Sequence, residues 1–198
     1  MPRHLPDDPK PWKVLTSEYL SREFWHTVRL EKVELPTGAV IAEYWVHEYV
    51  PWVNVVAVTT DDRILLVRQY RHGLGQVHFE LPAGTTDPGE VSLEDAAKRE
   101  LLEETGYGGG TWSLLTTLSA NPALQNNLTH TFLAEGVVPM ADVHLDAGED
   151  LRLHVVPFAE LEALLDVEDE LIQALHVAPL MKYVLRRTRA AVAAKGTR

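Results

Sequence analysis

Four consecutive small apolar residues, Val55-Val56-Ala57-Val58, break the alternation that strands in a one-sided sheet require. A strand apolar at every position needs cover on both faces, which a solvent-facing sheet cannot give it. This run lies inside an expected strand, Val53–Thr60, which Asp61-Asp62 joins to a second, Arg63–Tyr70, as a hairpin. Upstream, Phe24–Leu35 and Val40–Glu48 flank the break Pro36-Thr37-Gly38. In the second of these, Val40, Ala42, Tyr44 and Val46 alternate with Ile41, Glu43, Trp45 and His47, the period of a half-exposed strand. Further strands are expected at Thr111–Leu118, Leu128–Leu133 and Leu151–Val156, and helices at Leu93–Thr105, Phe158–Leu165 and Glu168–Arg189, the last kinked at Pro179. The pattern is α+β: a mixed sheet with a few helices packed on it, preceded by a proline-bearing leader. Leu81-Pro82-Ala83-Gly84 reads as the start of a loop.

Composition removes several function classes. The chain has no cysteine, so disulfides, zinc–thiolate sites and cysteine nucleophiles are excluded, and a reducing, cytoplasmic setting is expected. No apolar run nears the roughly 18 residues of a membrane span, and no signal peptide is expected. A net charge of −11 suits neither nucleic acid nor an unaided phosphate contact, so a divalent cation is expected to mediate any phosphate binding. The tail runs against this balance: Lys182, Arg186, Arg187, Arg189, Lys195 and Arg198 have no acidic neighbour. The simpler reading is a set of cations complementing a helix C-terminus.

The helix Leu93–Thr105 carries the chemistry. Ser92 with Asp95 forms a capping box and Gly106 stops the helix. Glu100, Glu103 and Glu104 fall within an arc of about 100° on it, because positions i, i+3 and i+4 share a face. Such neighbours cost roughly 0.2–0.5 kcal/mol per pair, and they sit in the last turn, where the helix dipole disfavours negative charge. Carboxylates are preferred ligands for Mg²⁺, with Mn²⁺ a plausible substitute. A solvated acidic face would show the same three residues, and the upstream loop separates the two readings.

Gly84, five residues, Glu90, then Arg99-Glu100-x-x-Glu103-Glu104-x-Gly106-Tyr107 resembles the Nudix box, the signature of hydrolases that cleave nucleoside diphosphates linked to another moiety. The interval between Glu90 and Arg99 is one residue longer than the family's, with Val91 the surplus, which puts the family's Glu90–Arg99 brace in question. The resemblance implies a Nudix-type α/β/α sandwich. It also implies Glu100 and Glu104 as principal metal ligands, Glu103 on a further metal or its water, the Ala83 carbonyl completing the coordination, and Gly84, Glu90, Arg99 and Gly106 as structural residues of the box.

Arg68-Gln69-Tyr70-Arg71 and His78-Phe79-Glu80-Leu81-Pro82-Ala83-Gly84 resemble the ADP-ribose pyrophosphatase and nucleoside-diphosphate-sugar hydrolase branch of that superfamily. This implies an N-terminal antiparallel strand region over residues 1–50 used for homodimerisation, and a hydrolase domain over 51–198. Arg71 is the candidate phosphate contact, with a surface salt bridge as the alternative. Glu80 is a candidate sugar contact or metal support. Trp52, near Trp45 and Tyr49, is a candidate for stacking on a base or for interface packing. Glu149, in the acidic turn before Leu151–Val156, matches the branch's second acid, which orients water from a mobile loop. Residues 119–127 lack the acidic segment common in ADP-ribose pyrophosphatases, which tilts the expected substrate toward nucleoside diphosphate sugars in general. ADP-ribose and GDP-mannose are both retained as substrates. The alternatives are a catalytically inactive ligand-sensing regulator and a nucleoside triphosphate sanitising enzyme. His72, His78, His130 and His154 show no metal-ligand spacing and are assigned core or surface roles.

Overall fold

The computed structural model describes residues 5, 7–23, 26–87, 89–90, 92–167 and 170–196. Phe24, Val91, Glu168 and Arg198, which enter the sequence expectations, lie outside these residues. The chain separates into two units: residues 1–49 with Asn121–Asn127, and residues 50–120 with 128–198.

The first unit is a three-stranded antiparallel sheet of β1 (Lys13–Glu23), β2 (His26–Glu34) and β3 (Val40–Glu48), in that order. The turn at Pro36-Thr37-Gly38 closes with the Gly38 N–H on the Leu35 carbonyl at 2.9 Å, and Gly38 takes the positive φ of +85° that such a turn favours in glycine. Val28, Val33 and Val46 are buried, whereas Val14, Leu15, Tyr19, Leu20, Val40 and Trp45 are exposed. The loop at Asn121–Asn127 is anchored to β3: His47 N–H donates to the Leu124 carbonyl at 2.7 Å, and Tyr44 Oη to the Ala123 carbonyl at 2.6 Å.

The second unit is built on β4 (Trp52–Thr59), β5 (Arg63–Arg71), β6 (Gln76–Glu80), β7 (Ala83–Thr85), β8 (Tyr107–Gly108), β9 (Thr111–Leu118), β10 (Thr129–Pro139) and β11 (Leu151–Pro157), with helices α1 (Leu93–Thr105), α2 (Phe158–Asp166) and α3 (Ala174–Gly196). The sheet is mixed. β4 runs parallel to β10 and antiparallel to β5 and β7; β11 and β6 flank β5.

The apolar run of β4 explains the layering. Val56 and Val58 point into one core with Ile64, Leu66, Leu161 of α2, and Leu180 and Tyr183 of α3. Val53, Val55 and Ala57 point into a second core with Leu65, Phe132 and Ala96, Ala97 and Leu101 of α1. Helices therefore cover both faces, the α/β/α arrangement, because successive strand residues alternate between faces and here both sets are apolar.

Of the elements that differ from the sequence expectation, four have a physical reason in the contacts they make. Ala83–Thr85 is not loop but a strand pairing with β4, too short to show a period. β6 also pairs with β5, Glu80 standing opposite Val67. β10 extends past Leu133 to Pro139 because Gly136, at φ +80°, absorbs a bulge between Glu135 and Val137. α3 starts at Ala174 rather than Glu168. Glu170 is spent on the sheet, its carbonyl accepting from Phe79 N–H at 2.7 Å and its carboxylate from Arg68 at 2.6 Å. Pro179 lies inside α3, where its missing N–H orphans the Leu175 carbonyl. The buried Asn54 of β4 supplies that bond, Nδ2 donating to the Leu175 oxygen at 2.9 Å. Among the described residues, no helix is long and apolar enough to cross a membrane.

Candidate active site

α1 is bounded as its sequence dictates. Asp95 N–H donates to Ser92 Oγ at 3.1 Å, and Ser92 Oγ donates back to the Asp95 carboxylate at 2.8 Å. Gly106 closes the helix at φ +72° with its N–H on the Leu102 carbonyl, a left-handed cap that costs glycine little. This fixes the phase of Glu100, Glu103 and Glu104. Two of them point inward: Glu100 is 8% exposed and Glu104 2%.

The loop preceding α1 is shaped around these two carboxylates. Ala83 N–H donates to Glu104 Oε2 at 3.0 Å and Thr85 N–H to Glu100 Oε1 at 3.2 Å. A side chain on Gly84 would collide with the Glu100 carboxylate, so glycine there is a matter of space.

Arg99 braces loop against helix. Its Nε lies 2.8 Å from Glu90 Oε1, and its Nη2 donates to the Thr85 carbonyl at 2.9 Å. The extra residue of the box loop therefore leaves the brace intact. Arg99 Nη1 also lies 3.0 Å from Glu100 Oε1 and 2.8 Å from Glu103 Oε2, bridging the pair.

Glu104 differs: its hydrogen bond among the described residues is a neutral backbone N–H. Burial, reinforced by the charges of Glu100 and Glu149, raises its pKa to about 8. Burial also raises Glu100 to about 7, against the pull of Arg99. Among the described residues no three acidic or imidazole groups form a ready cation cage. The donor set still fits a divalent cation: hard oxygen ligands on one rigid face, two of them desolvated and undercompensated.

Of the three helix carboxylates, Glu104 opens on a cleft of about 330 Å³, which it lines with Gln69, Tyr70, Arg71, Ala83, Gly148, Glu149 and Asp150. It brings together Glu104, Ala83, Arg71 and Glu149, which are far apart in sequence. Glu149 sits in a turn closed by its N–H on the Asp146 carbonyl at 2.9 Å and its carboxylate on Asp146 N–H at 3.0 Å. Trp52 opens β4 opposite Thr85 and Thr129 and is not among the residues lining the cleft.

Arg71 and Glu80, both read as substrate contacts, are partners of each other. Arg71 Nε donates to Glu80 Oε1 at 2.8 Å and Nη2 to Oε2 at 2.6 Å, a bidentate fork. Arg71 stays 45% exposed at the cleft while Glu80 is wholly buried, so in this structure Glu80 faces the guanidinium and not the solvent. Burial opposes its charge, yet Arg71 and His176 hold its pKa at about 2.

Sequence reasoning missed the groups around Glu80: Gln69, His78 and His176. His78 and Glu80, two apart on a strand, share a face, and that signal was available once β6 was known. His176 is remote in sequence and left none.

Comparison with known proteins gives a consistent result. Residues 49–176 match the NUDIX domain, and residues 12–47 match the nucleoside diphosphate sugar hydrolase N-terminal domain. The chain is 30% identical over 151 residues to the ADP-ribose pyrophosphatase of Mycobacterium tuberculosis, covering 75% of this chain and 72% of that protein. It is 31% identical over 155 residues to the ADP-ribose pyrophosphatase of Bacillus subtilis, covering 78% and 82%. A crystal structure of an ADP compounds hydrolase superposes with a TM-score of 0.78 at 26% identity, over 96% of this chain and 98% of that one.

Proposed function

The chain belongs to the NUDIX family, and we propose that it is a metal-dependent hydrolase of nucleoside diphosphate sugars that cleaves the diphosphate to a nucleoside monophosphate and a sugar phosphate. ADP-linked substrates, ADP-ribose foremost, are favoured by the resemblance to ADP-ribose pyrophosphatases and an ADP compounds hydrolase. The observation that carries the reading is the pair Glu100 and Glu104, buried on one helix face and undercompensated, beside a cleft holding one guanidinium and a further acid.

When bound, Mg²⁺, or Mn²⁺ in its place, supplies Lewis acidity toward the diphosphate and a more acidic water. Glu100, Glu104 and the Ala83 carbonyl would hold it, with Glu103 contributing once Arg99 yields. Arg71 meets a phosphate oxygen with the part of its guanidinium that Glu80 does not occupy. Glu149, on a glycine-bearing loop at the cleft mouth, orients the attacking water and takes its proton.

Hydrolysis of ADP-ribose, GDP-mannose, UDP-glucose and dGTP, with and without Mg²⁺, tests the assignment. Magnesium-dependent release of AMP and ribose 5-phosphate is expected to be fastest. Preference for dGTP would reassign the protein to triphosphate sanitation, and inactivity on all four would refute the enzymatic reading.

The exposed Val14, Leu15, Tyr19 and Leu20 of β1 and Val40 and Trp45 of β3 support a homodimer formed through the N-terminal region of residues 1–50, with residues 51–198 as the hydrolase domain. Sedimentation at twice 22.2 kDa is the expected result, and a monomer refutes it.

A further inference from the structure

Glu80 has no exposed surface and remains ionised, so the groups that hold it decide where its guanidinium partner sits. Arg71 occupies both oxygens, and Gln69 Nε2 adds a bond to Oε2 at 3.2 Å. Two buried histidines close the other side. His78 Nε2 lies 2.9 Å from Glu80 Oε1 but off the line of a hydrogen bond, and neither of its ring nitrogens has a hydrogen-bond partner among the described residues. His176 Nε2 lies 3.4 Å from Oε2.

The His176 tautomer follows from its other nitrogen. Leu81 N–H donates to Nδ1 at 3.2 Å, so Nδ1 carries the lone pair. The neutral ring's proton is then on Nε2, facing Glu80. His176 thus bridges the residue that leads into Ala83-Gly84 and the carboxylate that grips Arg71, from the first turn of α3.

A buried ionic cluster of this kind contributes little net stability compared with apolar packing of the same volume. What it does supply is direction. Arg71 is the last residue of β5 and nearly half exposed, and its fork on Glu80 fixes the angle at which the guanidinium enters the cleft.

We propose that His176 is a positioning residue for the hydrolysis, aiming Arg71 at the diphosphate by orienting Glu80. The proposal rests on the reading of Arg71 as the phosphate contact. His176 touches no substrate and acts through two intervening side chains.

Two variants divide its functions. His176→Asn keeps an acceptor for Leu81 N–H and gives up the donor to Glu80, whereas His176→Gln reaches Glu80 with a donor. With ADP-ribose and Mg²⁺, the asparagine variant should raise KM about tenfold, the worth of one charge-assisted hydrogen bond, with kcat within about twofold. The glutamine variant should restore KM to within about threefold of wild type. In an Arg71→Gln background, His176→Asn should add at most about twofold, because residues acting through one another do not add.

A folded asparagine variant with unchanged KM, or the same tenfold rise without Arg71, overturns the proposal. Should the asparagine variant not fold, long-range ¹H–¹⁵N correlation on the wild-type protein still decides. A His176 Nε2–H tautomer supports the proposal and an Nδ1–H tautomer refutes it. Failure of the functional reading itself looks different: the wild type would then hydrolyse none of the diphosphate substrates.

Discussion

Replacing Glu104 with glutamine separates catalysis from stability. The carboxyl is 2% exposed, and burial, then the charges of Glu100 and Glu149, lift its pKa from 4.5 to about 8. Between those values the folded protein binds more protons than the unfolded chain, so without cations stability falls as pH rises. The contribution is complete below pH 4.5, shrinks through neutrality and is gone above about pH 8. At pH 7.5 a shift of this size corresponds to a penalty of about 3–4 kcal/mol, at about 1.4 kcal/mol per pKa unit. Glu104→Gln removes that penalty and keeps an oxygen for the Ala83 N–H, 3.0 Å away in the wild type. Because Glu100, with a pKa of about 7, titrates in the same window, we expect a net gain of roughly 2–3 kcal/mol. For a chain of 198 residues this is a rise in Tm of about 5–10 °C, measured in EDTA at pH 7.5. Turnover of ADP-ribose with Mg²⁺ should fall by at least about 100-fold, since a metal-ligand carboxylate is lost. Added Mg²⁺ should stabilise the wild type and leave the variant unmoved. The reasoning is refuted if the variant melts at or below wild type in EDTA. It is also refuted if wild-type stability in EDTA does not decline between pH 5 and pH 8.

Three further expectations follow from named contacts. Gly84→Ala should push the Glu100 carboxylate off its seat and cut turnover at least about tenfold. Because the far end of a flexible side chain can move, Tm should shift by only a few degrees, and a large loss of Tm would show that backbone had to move instead. Glu149→Gln should lower kcat about 100-fold with little change in KM, and unchanged kinetics would remove Glu149 from the mechanism. Asn54→Ala leaves the Leu175 carbonyl without its donor and should cost about 1–3 kcal/mol in urea denaturation. Pro179→Ala should recover part of that loss by restoring a helical N–H. An equal loss in both backgrounds would show that Asn54 acts elsewhere.

How much of this could be read from the chain alone depends on the range of the interaction responsible. α1 was legible to the residue because its cap, its stop and its acidic face are set by neighbours within four positions. Ser92, Asp95 and Gly106 needed no tertiary contact to announce themselves. The double burial of β4 was equally legible, since an unbroken apolar run admits few other environments. β6 and β7 were not, because five and three residues hold too little pattern. The late start of α3 came from bonds that Glu170 makes to Phe79 and Arg68 across the fold.

The site divides along the same line. Sequence alone determined which carboxylates share a helix face, because helical phase is a local property. Folding decided that Glu104 is met by the Ala83 backbone N–H while Arg99 serves Glu100 and Glu103, that Glu80 lies beneath Arg71, and that His176 reaches both Glu80 and Leu81. Desolvation and convergence depend on atoms brought together from strands and helices distant in the chain, and no local spacing encodes them.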